Sequence, residues 1–230
     1  MHTGLPSAAA RLEPALGHRF RDPALRDAAL THRSAGGSNN ERLEFLGDAL
    51  LGCVIGEALY QRLPRAPEGD LTRLRALLVR EATLAELARE LALGDALALG
   101  GSELKSGGYR RASILADAFE ALIGAIYLDS DFETCRRVVL ALFGPRLDAL
   151  PSPSELKDPK TRLQEYLQAR QQPLPAYRIV EVSGEAHAQT FTVECTCSGL
   201  PAVVASGTSR RKAEQEAAGR MLATLTAGGH

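Results

Sequence analysis

Three carboxylates, Glu41, Glu44 and Asp48, stand at i, i+3 and i+7 in the segment NERLEFLGDALLGCVI, residues 40–55. On a helix, at about 100° per residue, they fall within roughly 60° of one another and make a single acidic stripe. Nearly everything else in the segment is apolar or small, which is the pattern of a helix enclosed by its neighbours. A second segment, SILADAFEALIGAIYL at 113–128, carries only two charges, Asp117 and Glu120, spaced i, i+3 on one face. Carboxylates gathered in a packed helical region with few cations nearby must take up protons or find a counter-charge. Hard oxygen ligands converging from two helices suit Mg²⁺, with Mn²⁺ as a substitute. A lone acidic pair is ordinarily a solvated face; two such stripes, each on an otherwise apolar helix, are what favours a metal site.

The elements that must position these acids are helical. Apolar residues recur at helical spacing in block after block, as in LTRLRALLVREATLAELARELAL (71–93), and no stretch alternates strictly before residue 150. A seam follows, where Pro145, Pro151, Pro153 and Pro159 punctuate the polar PSPSELKDP. Downstream the period changes. Phe191, Val193, Cys195 and Cys197 alternate with Thr190, Thr192, Glu194 and Thr196, the mark of a half-buried strand, and Tyr177–Val182 and Ala202–Ser206 read as two more. A helix at Thr161–Ala169 precedes them, and one carrying Ala213, Ala217, Ala218, Met221, Leu222 and Leu225 on one face closes the chain. The expected architecture is an all-α domain over 1–150, a linker over 151–157, and a small α+β domain of order α-β-β-β-α over 158–228.

Composition narrows the class. The 230 residues are 45% hydrophobic and 24% charged, as in an ordinary globular chain. No apolar run is long enough to span a bilayer and Met1 to Ala10 lacks signal-peptide character, so a cytoplasmic protein with no membrane association is expected. Cys53, Cys135, Cys195 and Cys197 show no CxxC spacing and are expected as free thiols, and the five histidines form no HxxxH or HExxH pair for zinc. The net charge of −1 argues against a protein that holds nucleic acid by bulk positive charge. That sum, however, merges localised populations: clustered acids, whose charge a metal would offset, and a basic triplet near the C-terminus.

That triplet is Arg210, Arg211 and Lys212, directly after Ser209, an N-cap candidate for the last helix. Cations at a helix N-terminus oppose the helix dipole, so a compensating anion such as a phosphate is implied. Gln164 and Gln168 stand at i, i+4 on the first helix of this half and so share one face. The glycine-containing, basic GSELKSGGYRR (101–111) lacks P-loop spacing and reads as a flexible loop. Glu68 and Asp70 in PEGDLTRLR read as acids of a helix's first turn.

NERLEFLGD (40–48) resembles the signature of the ribonuclease III family, LADAFEALIGAIYLD (115–129) its second acidic motif, and ALTHRS (29–34) its early segment. Residues 158–225 resemble a double-stranded RNA-binding domain in element order; the resemblance implies that Gln164 and Gln168 face a minor groove and reach 2′-hydroxyls, and GEAH (184–187), with His187, is similar to the hairpin tip that enters a second minor groove. The stretch Ala205–Thr208 departs from that pattern, being neutral where the family is richer in Gly and Lys. The resemblance implies a metal-dependent endonuclease of double-stranded RNA. Glu44, Asp117 and Glu120 would be its metal ligands, Asp48 and Glu120 the residues closest to the chemistry, and Glu41 a supporting acid. It further implies a homodimer through the helical domain, products with 5′-phosphate and 3′-hydroxyl ends, and processing of ribosomal RNA precursors and structured messenger RNA. The competing expectation is a double-stranded RNA-binding or ribosome-assembly protein that kept the fold and lost the chemistry; the presence of every matching acid favours the enzyme.

Overall fold

A computed structural model of the protein describes residues 8–152, 156–185 and 188–227, with the side chains of 8–10 and 227 outside the description. The chain divides into two compact units, Met1–Leu150 and Pro151–His230. Among the described residues no helix is long and apolar enough to cross a membrane.

The first unit is helical: α1 (Ala8–Leu16), α2 (Pro23–Ala29), α3 (Glu41–Arg62), α4 (Glu68–Val79), α5 (Glu81–Glu90), α6 (Gly101–Lys105), α7 (Ala112–Asp129) and α8 (Phe132–Asp148). Its axis is α7, which is buried on almost every side from Ile114 to Ile126 and packs against α2, α3, α5 and α8. The unbroken apolar content of this segment has its reason here, since a helix covered all round needs no polar face. Where α3 crosses α7 the two backbones nearly touch. A Cβ built on Gly47 would lie 1.8 Å from the Glu120 carbonyl oxygen, and one on Gly124 would lie 2.3 Å from that of Leu43. Only glycine permits this approach, and it sets Glu44 on α3 beside Asp117 and Glu120 on α7.

The C-terminal end of α7 is fastened by Asp129. Its buried carboxylate accepts hydrogen bonds from the backbone N–H of Arg21 and from that of Asp22 (2.8 Å), and lies 2.9 Å from His18 Nε2. Asp22 then caps α2 through the Ala24 N–H, with Pro23 in the first turn. Asp131 caps α8 by accepting from Thr134 N–H at 2.7 Å.

Residues 101–111 are structured, which corrects the expectation of a flexible loop. They form α6 and a 3₁₀ turn at Gly108–Arg110, and Arg111 pairs with Glu103 at 2.9 Å. Of their glycines, Gly108 serves close packing, since a Cβ there would meet the Glu103 carbonyl oxygen at 2.9 Å, and Gly107 turns the chain at a positive φ of 77°. The preceding Gly100 donates its N–H to Ser34 Oγ, and Thr31 bridges to Ala98, tying the ALTHRS segment to this region.

The second unit runs α9 (Pro159–Gln168), β1 (Ala176–Ser183), β2 (Thr190–Thr196), β3 (Val203–Gly207) and α10 (Arg210–Ala227). The three strands form an antiparallel sheet in the order β1-β2-β3, with Tyr177 opposite Cys195 and Val193 opposite Ala205. A bulge between Ile179 and Glu181 interrupts β1. One face of the sheet carries Cys195 and Ala205 into a core with Leu163 and Leu167 of α9 and Ala217, Ala218 and Met221 of α10. This is the α-β-β-β-α order expected, and the period-two pattern of β2 is the reason it could be read: Val193 and Cys195 are buried while Thr196 is exposed. All four cysteines are free thiols.

Candidate functional site

Glu44, Asp117 and Glu120 come together in the first unit, each offering a carboxylate oxygen within 4.8 Å of the others. All three are half-buried, whereas Glu41 and Asp48, one turn to either side of Glu44 on α3, are exposed. Glu41 lies 3.6 Å from Arg33. The crowding shows in the acidities. Burial pushes the Glu120 carboxyl up to about 8, with the charges of Asp48, Glu44 and Asp117 acting in the same direction. Glu44 is also raised, first by burial and then by Asp117 and Glu41, with Arg33 opposing. Asp117 is raised by burial, against the pull of His32.

This donor set fits a divalent cation on the structure's own terms. Three hard oxygen donors converge from two helices, and their negative charge is not matched by a cation within the cluster. A carboxyl at about 8 is mostly protonated at neutral pH, and an ion of charge +2 at its side reverses the electrostatics that hold the proton there.

Glu44 and Asp117 of the cluster open into a cleft of about 500 Å³ of mixed charge. Its lining includes the acids Glu41 and Glu103, with His32, Arg33 and Arg111 as well as Asn40 and Ser113. Sequence reasoning assigned no role to His32, Arg33, Asn40 or Ser113. The signal for the first two lay in ALTHRS, but only the bridge from Thr31 to Ala98 and the Ser34 contact to Gly100 bring that segment to the cleft. Glu68 and Asp70 occupy the first turn of α4, where Glu68 accepts from Thr72 Oγ1 at 2.7 Å and Asp70 pairs with Arg73.

In the second unit Gln164 is half-buried and Gln168 exposed on α9, adjacent to the buried Leu163 and Leu167. His187 lies outside the described residues. Ser209 Oγ accepts the Lys212 N–H at 3.2 Å, so it caps α10 as its position suggested. Arg210, Arg211 and Lys212 are all exposed, but the dipole argument for an external anion does not apply equally to the three. Glu214, one turn on, holds Arg210 at 2.8 Å and Lys160 at 2.7 Å, and these partners keep its carboxyl below the usual range. Arg210 thus already has an anion within the fold. Arg211 and Lys212 instead line a groove with Gln215 and Arg220 beside the start of α9.

Known proteins place both units. Residues 22–147 match the Ribonuclease-III-like family and residues 159–225 the double-stranded RNA binding motif. Ribonuclease 3 of Nitrosococcus oceani is 62% identical over 220 residues, covering 94% of each chain. Ribonuclease 3 of Aliivibrio fischeri is 56% identical over 220 residues, covering 95% of this chain and 99% of that one. A crystal structure of the nuclease domain of ribonuclease III from Campylobacter jejuni superimposes with a TM-score of 0.59 at 44% identity, covering 61% of this chain and 97% of that one. With an acid-lined cleft in a helical unit, a double-stranded RNA-binding unit after it, and relatives this similar along nearly the whole length, the chain belongs to the ribonuclease III family and is an endoribonuclease of double-stranded RNA.

Proposed function

We propose that the enzyme holds Mg²⁺, or Mn²⁺ in its place, through Glu44, Asp117 and Glu120, and cuts each strand to leave a 5′-phosphate and a 3′-hydroxyl. The observation that carries this reading is the meeting of three half-buried carboxylates within 4.8 Å, two of which, Glu44 and Asp117, line a cleft. When bound, the ion supplies positive charge to the phosphate oxygens and lowers the pKa of a coordinated water. Asp48 and Glu120 are the residues closest to the chemistry. Asp48 stands outside the three-oxygen cluster yet near enough for its charge to raise Glu120. Arg33, His32 and Arg111, which line the same cleft, meet the anionic oxygens of the phosphodiester. Glu41, held by Arg33, is a supporting acid at the rim.

The homodimer forms through the helical domain. Phe45 is 80% exposed and stands at a hollow whose apolar part is Leu25, Ala28, Leu46 and Leu128 and whose polar part includes Glu41 and Arg42. A hydrophobic knob next to a hydrophobic socket is self-complementary, as a two-fold interface requires. Each protomer's site then cuts one strand. The domain over 158–228, joined by the linker 151–157, grips the duplex. Gln164 and Gln168 reach one minor groove and the loop with His187 the next, while Arg210, Arg211 and Lys212 meet phosphates across the intervening major groove. The substrates are ribosomal RNA precursors and structured messenger RNA in the cytoplasm. Incubation of long duplex RNA with the protein is the direct test. Fragments with 5′-phosphate ends are expected with Mg²⁺ and none with EDTA, and intact RNA in Mg²⁺ despite binding would overturn the proposal.

A further inference from the structure

Asn40 immediately precedes α3, at the N-cap, where an asparagine side chain ordinarily accepts a hydrogen bond from the first turn. Here it makes no such bond. The residue is only 2% exposed, and its Nδ2 is buried with no hydrogen-bond partner. The main chain around it is fixed: its N–H donates to the Thr31 carbonyl at 2.9 Å and its carbonyl accepts the Glu44 N–H at 2.8 Å. The side chain lines the same cleft as Glu44 and Asp117. A buried amide nitrogen left without an acceptor, on a side chain that does not cap its helix, is disfavoured in the folded state, and such groups recur where a function requires them.

The cleft itself indicates what the amide is for. A carboxylate that gives one oxygen to a cation leaves its other oxygen in need of a donor, and that donor fixes the direction in which the ligand points. Arg33 lies against Glu41 at the rim. A cationic donor deeper in the cleft would oppose the charge of the ion, whereas a neutral amide would not. Resting on the metal-site reading above, we propose that Asn40 is a positioning residue for the metal ligands, its Nδ2 donating to the oxygen of Glu44 or Asp117 that is turned away from the cation. Its hydrogen bond is complete only in the loaded site, so Asn40 favours the cation-bound arrangement over the empty one.

The test is titration of the full-length protein with Mn²⁺ by calorimetry in the absence of RNA, with thermal melts in EDTA alongside. Asn40→Leu keeps the side chain's size and removes the donor. It should raise the Mn²⁺ Kd by about 10- to 100-fold, as loss of a partner of a metal ligand does, while the metal-free protein melts no lower than the parent because an unsatisfied buried donor is gone. Asn40→Ala leaves room for a water to stand in and should weaken binding by about 10-fold, the low end of that range. If Asn40→Leu does not fold, Asn40→Ala carries the comparison alone. Unchanged Kd in the folded variants overturns the inference and leaves the metal site standing. Failure of the parent itself to bind Mn²⁺ overturns both.

Discussion

Replacing Glu120 by Gln should make the metal-free protein more stable at alkaline pH while removing its response to metal. The Glu120 carboxyl moves from its ordinary 4.5 to about 8 in the folded chain, chiefly through burial. An acid whose pKa is raised on folding is not penalised while it is protonated in both states. Its cost therefore begins as pH rises above about 4.5 and is fully present above about 8. Transmitted whole, that difference is about 4.8 kcal/mol; with the side chain partly open to solvent, about 2 kcal/mol is the screened figure. For a chain of this length the corresponding shift in melting temperature is roughly 4–8 °C. Thermal melts in EDTA from pH 5 to pH 9 should show the parent and Glu120→Gln nearly together at pH 5 and the variant above the parent at pH 8–9. Added Mg²⁺ should raise the parent and leave the variant unmoved. Parallel pH profiles in EDTA would refute the idea that the acid cluster is electrostatically strained without its ion.

Other outcomes can be checked in the same material. Glu120→Gln should abolish cleavage of duplex RNA while gel-shift affinity in Ca²⁺ or EDTA stays within about twofold, since it touches transition-state rather than ground-state interactions; parallel loss of both would mark the residue as structural. Gly47→Ala forces a methyl group into the Glu120 carbonyl and should cost about 3 kcal/mol or more in urea unfolding, with a cost below about 0.5 kcal/mol counting against the tight crossing of α3 and α7. Asp129→Ala strands the N–H groups of Arg21 and Asp22 and should destabilise by about 3 kcal/mol at pH 7. Because that carboxyl is held below its ordinary range, with the N–H groups and His18 outweighing its burial, the gap to the parent should close only as pH falls through its lowered value. In RNA binding, Arg211→Ala and Lys212→Ala should each reduce the salt slope by about one, and Arg210→Ala by less, because Arg210 is shared with Glu214. Equal slopes for all three would remove that distinction.

Local periodicity made much of this molecule legible. The stripe of Glu41, Glu44 and Asp48 could be placed because i, i+3 and i+7 are fixed by helix geometry, and the sheet could be read because β2 alternates. What could not be read is tertiary. The meeting of Glu44 with Asp117 and Glu120 depends on two glycines allowing α3 and α7 to touch, and nothing in the period of either helix states that they cross there. Residues 101–111 read as flexible because glycine usually signals freedom, but Gly100 and Gly108 are glycines for the opposite reason, each admitting a backbone oxygen where a side chain would collide. The i, i+4 pairing of Arg210 with Glu214 was available to sequence reasoning, whereas the second claim on Glu214, by Lys160 from α9, was not. The orphaned Nδ2 of Asn40 lay beyond it for the same reason: at a helix start the residue type suggests a cap, and only the three-dimensional surroundings show that the side chain caps nothing and leaves its Nδ2 without a partner.

The backbone contact between α3 and α7 also acts as a caliper. Because Gly47 and Gly124 seat main chain against main chain, the separation of the two helix backbones that carry the acids is set by the least deformable part of the protein. With the two helices locked at the peptide level, rotation of the Glu44, Asp117 and Glu120 side chains is the adjustment left for fitting the acids to whatever stands between them.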